Sequence, residues 1–205
     1  MIVVRDPRDV CVSLYYHSRS IKGISYGGSW DEWFDAFLDG TAPLPMANSN
    51  PDGEGNDWFS HTIGWWNVSR ANPRNVLWVR YEDLLRAPLE QVRNVARFAR
   101  PAAARNEELL ERIVVASSFG EMKQRHEADP ANASLRNSGE TSHFRKGKAG
   151  DWRDHMSREQ RVRFAAMMRR RLQGTGLEEA FEVDDAVEKA GSKFGSRTEN
   201  QTKPS

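Results

Sequence analysis

Short apolar runs that give way at once to helix-starting residues organise this chain. Ile2, Val3 and Val4 are β-branched and, with Met1, read as the end of a buried strand. Within two residues the pattern switches, because Asp6 suits an N-cap, Pro7 the first helical position and Asp9 the favourable first turn. Strand, tight turn and helix follow, the helix reaching about Tyr16 or His17 before the glycines of SIKGISYGGS break it.

The same logic carries along the chain. WDEWFDAFLDG (residues 30–40) places Trp30, Trp33, Phe34, Phe37 and Leu38 at helical spacing ahead of a terminal glycine, predicting a short amphipathic helix. Residues 41–56 are rich in Pro, Gly, Asn and Asp without periodicity, the composition of a long surface loop. DWFSHTIGWWNVSR reads as a helix with Phe59, Ile63 and Trp66 on one stripe. Residues 76–79 form the clearest strand after the opening one, turning at Tyr81, Glu82 and Asp83. PLEQVRNVARFA then gives a helix whose apolar side carries Leu89, Val92, Val95, Ala96 and Phe98 or Ala99. Two strand-then-helix units favour a parallel sheet covered by helices. Residues 107–116 should be helical, whereas RHEADPANASLRNSGETSH is polar and reads as loop. Ser157 can cap a last helix over 158–172, which ends in basic residues and glycine as a C-terminus prefers. From about residue 182 the chain is polar, with Phe194 as its one bulky apolar anchor, and reads as a disordered tail.

With 205 residues the chain suits one domain plus a tail, the domain spanning 1–181 and the tail 182–205. Thirty Lys and Arg stand against 29 Asp and Glu, so no global field recommends nucleic acid or an anionic membrane as partner, and any anion site must be local. The single cysteine, Cys11, rules out an internal disulfide framework and a multi-cysteine zinc site and fits a reducing, cytoplasmic setting. No metal is expected. No run approaches a membrane span, and the opening lacks a secretory pattern.

Candidate chemistry concentrates at two places. Arg5, at the carboxyl end of the first strand, lies where open α/β sheets bind ligands, and Ser13, two helical turns beyond Asp6, faces the same side. A guanidinium fork suits phosphate and a serine hydroxyl adds a hydrogen bond. Asp6 and Asp9 count against an anion seated squarely on the helix N-terminus, which puts the site beside the helix. Taken alone, such a turn is more often a structural cap with a surface salt bridge. The second place is FRKGKAGDW, where Arg145, Lys146 and Lys148 surround Gly147 in a loop able to wrap N–H groups and charges around phosphate or sulfate. A solvated basic loop is the alternative there.

VVRDPRDVCVSLYYH resembles the second cofactor-binding segment of the cytosolic-type sulfotransferases, and WFSHTIGWW, VLWVRYEDL, ASSFGEMK, FRKGKAGDWRDHMSREQ and GTGL follow in that family's order. The family transfers a sulfuryl group from 3′-phosphoadenosine 5′-phosphosulfate (PAPS) to a hydroxyl or amine acceptor, releasing 3′-phosphoadenosine 5′-phosphate (PAP). The resemblance implies an α/β chain: a partial P-loop-type three-layer fold with a short parallel sheet flanked by helices. It implies PAPS as co-substrate, a small-molecule acceptor, and Arg5, Ser13, Arg145, Lys146 and Gly147 around the 3′-phosphate. Tyr81 is similar to the residue that contacts adenine, and Ser117, Phe119 and Met122 to the segment that holds the purine. An aromatic ring and a thioether suit a flat base, though apart from the resemblance core packing is the better reading of Phe119 and Met122. His61 lies on the helix that lines the acceptor pocket in the family; His17, His126, His143 and His155 receive no role.

Three departures shape the expectation. The family's Lys-containing phosphosulfate loop and general-base histidine have no counterpart here, so the catalytic residues are unknown and the chain is expected to be the C-terminal portion of such an enzyme, inactive alone. A non-catalytic nucleotide-binding module that keeps the 3′-phosphate site is the alternative, while a generic P-loop kinase fails for lack of the loop. The 41–56 connection is longer than usual, and Arg153, Ser157, Arg158 and Val162 stand where many members carry a dimer motif, so the usual dimer is not expected.

Overall fold

A computed structural model describes residues 1–43, 57–134 and 144–181. The expected tail and most of the 41–56 loop lie outside the described residues. The chain divides into two compact units, residues 1–152 and 153–205, each described by itself.

In the first unit, β1 (Ile2–Val4) pairs in parallel with β2 (Trp78–Arg80), Ile2 opposite Trp78, Val3 opposite Val79 and Val4 opposite Arg80. These are the strands of the sheet among the described residues, and the expected α/β class with a short parallel sheet flanked by helices is what is observed. The opening strand is less buried than its composition predicts: Val4 is buried, whereas Val3 is 48% exposed.

Each strand runs straight into a helix. After β1 comes α1 (Pro7–Ser20), where the Asp6 carboxylate accepts from the Arg8 backbone N–H, as the N-cap reading requires. The helix outlasts its predicted end by a turn. Ser18 and Ser20 donate their hydroxyls to the Tyr15 and His17 carbonyls, satisfying side chains that would otherwise compete with the helical backbone. After β2 comes α4 (Tyr81–Arg86), a short helix where the sequence suggested only a turn. The Asp6 N–H donates to Glu82 Oε1 at 2.9 Å, tying the two strand-to-helix junctions together.

Helix α2 (Trp30–Leu38) buries Trp33, Phe34, Phe37 and Leu38 and starts at a capping box, Ser29 and Glu32 bonding each other's backbone. The Trp33 indole donates to the Cys11 carbonyl at 3.0 Å, fixing α2 on α1. Cys11 is fully buried, and desolvation pushes its thiol far above the ordinary value, so it packs as a small hydrophobe. In α3 (Trp58–Ala71) the buried positions are Trp58, Phe59, Thr62, Gly64 and Ser69; Ile63 and Trp66 are only half-buried, so the inward face is rotated from the expected stripe. Trp66 instead packs edge-on against Trp78 of β2 at 5.1 Å.

Helices α5 (Pro88–Ala99) and α6 (Glu107–Ala116) match their predicted spans, joined by a 3-10 turn at Ala103–Arg105. The polar stretch read as loop is helical where it is described, as the end of α7 (Phe119–Ala128) and as α8 (Pro130–Ser134). Side-chain caps rather than an apolar stripe start both: Ser118 accepts from the Glu121 N–H, and Asp129 from the Ala131 N–H at 2.9 Å. The short helix α9 (Trp152–His155) follows.

In the second unit α10 (Arg158–Leu172) begins at the expected Ser157, which forms a capping box with Gln160. Phe164, Met168, Leu172, Leu177 and Phe181 are its buried residues of largest volume. No helix among the described residues is long and apolar enough to cross a membrane.

Candidate functional site

Strand register builds one wall of a cleft. Val4 lies opposite Arg80, so the next residue on each strand, Arg5 and Tyr81, emerge side by side at the carboxyl edge of the sheet. The Arg5 guanidinium stacks over the Tyr81 ring with its central carbon 4.7 Å from the ring centre. Arg5 also donates to the Lys148 carbonyl at 3.0 Å and lies 3.6 Å from the Asp9 carboxylate.

The basic loop forms the opposite wall. A cleft of about 250 Å³ is lined by Arg5, Ser13, Tyr81, Phe119, Met122 and residues 144–148. Eight of the nine nucleotide-site candidates therefore converge: Arg5, Ser13, Tyr81, Phe119, Met122, Arg145, Lys146 and Gly147. Ser117 does not join them. It is exposed at the end of α6, and its hydroxyl donates to the Ile113 carbonyl at 2.7 Å. Phe144, given no role in the sequence, also lines the cleft, as does Lys148, read there as a cation of the basic loop but not assigned to the nucleotide. The signal for both was the FRKGKAGDW stretch itself, which begins with Phe144 and includes Lys148 among its cations.

Buried carboxylates hold this arrangement. Asp9, 1% exposed, accepts from the Gly150 N–H at 2.6 Å and the Trp152 N–H at 3.1 Å, clasping the end of the basic loop to the first turn of α1. Its charge, expected to repel an anion, is instead consumed by two backbone donors and Arg5. Asp151 is buried beneath the loop and pairs with both Arg145 and Lys146. Arg145 stacks over Tyr16 at 4.7 Å, as Arg5 does over Tyr81. Asp6 pairs with buried Arg8, whose guanidinium stacks on Trp152 at 4.1 Å. Neither partner of that pair lines the cleft.

Gly147 fills a position that no other residue could take unchanged. Its φ is +64°, and a Cβ there would fall 2.2 Å from Cδ2 of Phe119. Phe119 meets Phe144 edge-on at 5.7 Å, and Phe144 in turn meets His126 at 5.2 Å, so the aromatic side of the cleft is a packed chain of rings. His61 lies apart from the cleft lining on α3, half-buried, with burial pulling its imidazole below the ordinary value. Among the described residues no group of His, Cys, Asp or Glu could hold a metal ion.

Known proteins give this geometry a context. The chain is 29% identical over 185 residues to sulfotransferase 1C2 of Homo sapiens, covering 89% of this chain and 57% of that protein. Its structure is similar to that of mouse sulfotransferase SULT7A1 complexed with PAP, with a TM-score of 0.67 and 23% identity over 87% of this chain and 61% of that one. It is also similar to retinol dehydratase in complex with androsterone and the inactive cofactor PAP, with a TM-score of 0.65 and 26% identity over 84% and 46% of the two chains. The chain thus spans little more than half the length of the curated relatives it matches. A family model for the sulfotransferase domain matches residues 1–176, and the chain belongs to that family.

Proposed function

We propose that this chain forms the part of a PAPS-dependent sulfotransferase that holds the nucleotide by its 3′-phosphate and base, in an enzyme whose acceptor is a small molecule bearing a hydroxyl or amine. One observation carries the reading: among the described residues, four cations, three aromatic rings and no carboxylate line a single cleft at the carboxyl edge of a parallel sheet. That combination suits an anionic group attached to a flat base. The donor set fits in one further respect. Arg5 Nε is buried without a hydrogen-bond partner among the described residues, so a ligand oxygen would satisfy a donor that the protein leaves unmet.

PAPS would supply the sulfuryl group, and PAP would be what remains after transfer. The chain's own residues would position it. Arg5, Ser13, Arg145, Lys146 and the Gly147 backbone would hold the 3′-phosphate, while Tyr81, Phe119 and Met122 would flank the purine. Ser117, the remaining candidate, would have to release the Ile113 carbonyl to take part. In-line transfer depends on such anchoring, because an error of position at the reacting sulfur is felt directly in rate. His61 is proposed for the acceptor side, residues 1–181 for the sulfotransferase domain and the cytoplasm for its setting. Androsterone, bound by retinol dehydratase, is the kind of small hydroxylated molecule meant as acceptor.

Calorimetric titration of PAP into the 205-residue chain, with Arg5→Ala and Lys146→Ala alongside, tests the reading. Saturable binding lost in both variants supports it. A folded wild-type chain that takes up no PAP overturns it.

A further inference from the structure

The cations of the cleft differ in how they are neutralised. Arg5 has the Asp9 carboxylate, and Arg145 and Lys146 share Asp151. Lys148 lines the same cleft, yet its ammonium has no hydrogen bond or ion pair with any described residue. Its backbone, by contrast, is fixed: Arg5 holds the Lys148 carbonyl at 3.0 Å, and Gly147, at a φ of +64°, sets the direction of the chain into it. The side chain therefore springs from an anchored point beside the phosphate-suited guanidinium.

Charge counting gives this lysine a role. Among the described residues four positive side chains line the cleft and two carboxylates pair with three of them, leaving a formal charge of plus two. A phosphate monoester near neutral pH carries about minus two, since its second pKa lies near 6. Without Lys148 the cleft would hold plus one, which matches a diester or a sulfate ester instead. We infer that Lys148 is a phosphate-binding residue of this cleft, supplying the charge that fits it to a doubly ionised phosphate monoester on the nucleotide.

The inference rests on the nucleotide reading proposed above and is tested so that the two fail differently. PAP is titrated calorimetrically into wild type, Lys148→Met and Lys148→Arg, at about 50 mM and about 1 M NaCl, the latter cutting the screening length to about 3 Å. Thermal unfolding of each variant confirms that the exposed substitution leaves the chain folded. At low salt Lys148→Met should bind PAP about three- to tenfold more weakly, the scale of one partly solvated charge contact, with the arginine near wild type. At high salt the difference should shrink. Equal affinity of wild type and Lys148→Met at low salt overturns the inference and spares the nucleotide reading. Equal losses in the methionine and arginine variants would assign the effect to the loop backbone and overturn it too. Absence of PAP binding by the wild type removes both.

Discussion

The Asp9 carboxylate on α1 accepts the backbone N–H of Gly150 at 2.6 Å, across 141 positions of sequence. With the Trp152 N–H and Arg5 as further partners, one buried side chain serves the helix, the basic loop and the cleft arginine together. Asp9→Ala would leave two backbone donors unmet and remove the arginine's counter-charge, so a loss of about 2–4 kcal/mol is expected. Urea unfolding measures it. A midpoint unchanged from wild type would mean that the loop is held by something else.

Gly147→Ala combines a left-handed backbone with a Cβ pressed into the Phe119 ring. The backbone strain alone is about 1–2 kcal/mol, and relief by moving the loop displaces Arg145 and Lys146. PAP affinity should fall about tenfold or more, the equivalent of that strain. A smaller side chain at 119 should relieve the clash, so Gly147→Ala with Phe119→Leu should unfold at a higher temperature than the summed losses of the two single variants would give.

The two serines proposed for the nucleotide separate cleanly. Ser13 lines the cleft, whereas the Ser117 hydroxyl closes on its own helix. Ser13→Ala should weaken PAP about fivefold, the usual scale of one hydrogen bond, and Ser117→Ala less than about twofold. Reversal of that order would show that Ser117 swings out on binding.

Ser29→Ala removes the cap of α2 and should cost about 1 kcal/mol of stability. It leaves the cleft untouched. Hydrogen bonds from the Ser29 backbone and hydroxyl hold the Glu32 carboxyl below its ordinary value of 4.5. A depressed folded-state pKa gives stability that is present above the unfolded value and lost as pH falls through the lowered one. The gap between wild type and Ser29→Ala should accordingly narrow below pH 4.5, followed by thermal melts in acid.

Burial lowers the His61 imidazole from its ordinary value of 6.5. The unfolded chain then binds the extra proton first, so stability is intact above 6.5 and erodes as pH drops toward the folded value. His61→Gln should flatten that erosion in urea titrations across mildly acidic pH. NMR titration of the ring at or above 6.5 would count against the burial argument.

Most of the cleft was legible because its chemistry is local in sequence. Arg5 and Ser13 share one strand-turn-helix, and Arg145, Lys146 and Gly147 one loop, so residue type and spacing mark them as candidate anion donors, while Tyr81, Phe119 and Met122 came only from the family resemblance. What escaped was the supporting layer. Asp9 reads as a first-turn charge and Asp151 drew no reading, since nothing in a linear pattern says which distant group a buried carboxylate will meet. Helices α7 and α8 escaped for a related reason: RHEADPANAS has no apolar stripe, and Ser118 and Asp129 start these helices through caps that resemble ordinary loop residues. The end of α1 slipped because the glycines of SIKGISYGGS suggested an early break, whereas the Ser18 and Ser20 hydroxyls return to the helix and carry it to Ser20.

The reach of the Asp9 clasp also sets an order of assembly during synthesis. Val4 and Arg80 can pair once the second strand has left the ribosome, but Asp9 must wait a further stretch of chain for Gly150 and Trp152. At about 5–20 residues per second, the stretch from Arg80 to Gly150 takes on the order of several seconds to emerge. Throughout it the nascent chain carries a carboxylate beside Arg5 with its backbone donors still unmade. The cleft is thus the last part of this unit to close, and its completion marks the arrival of the basic loop.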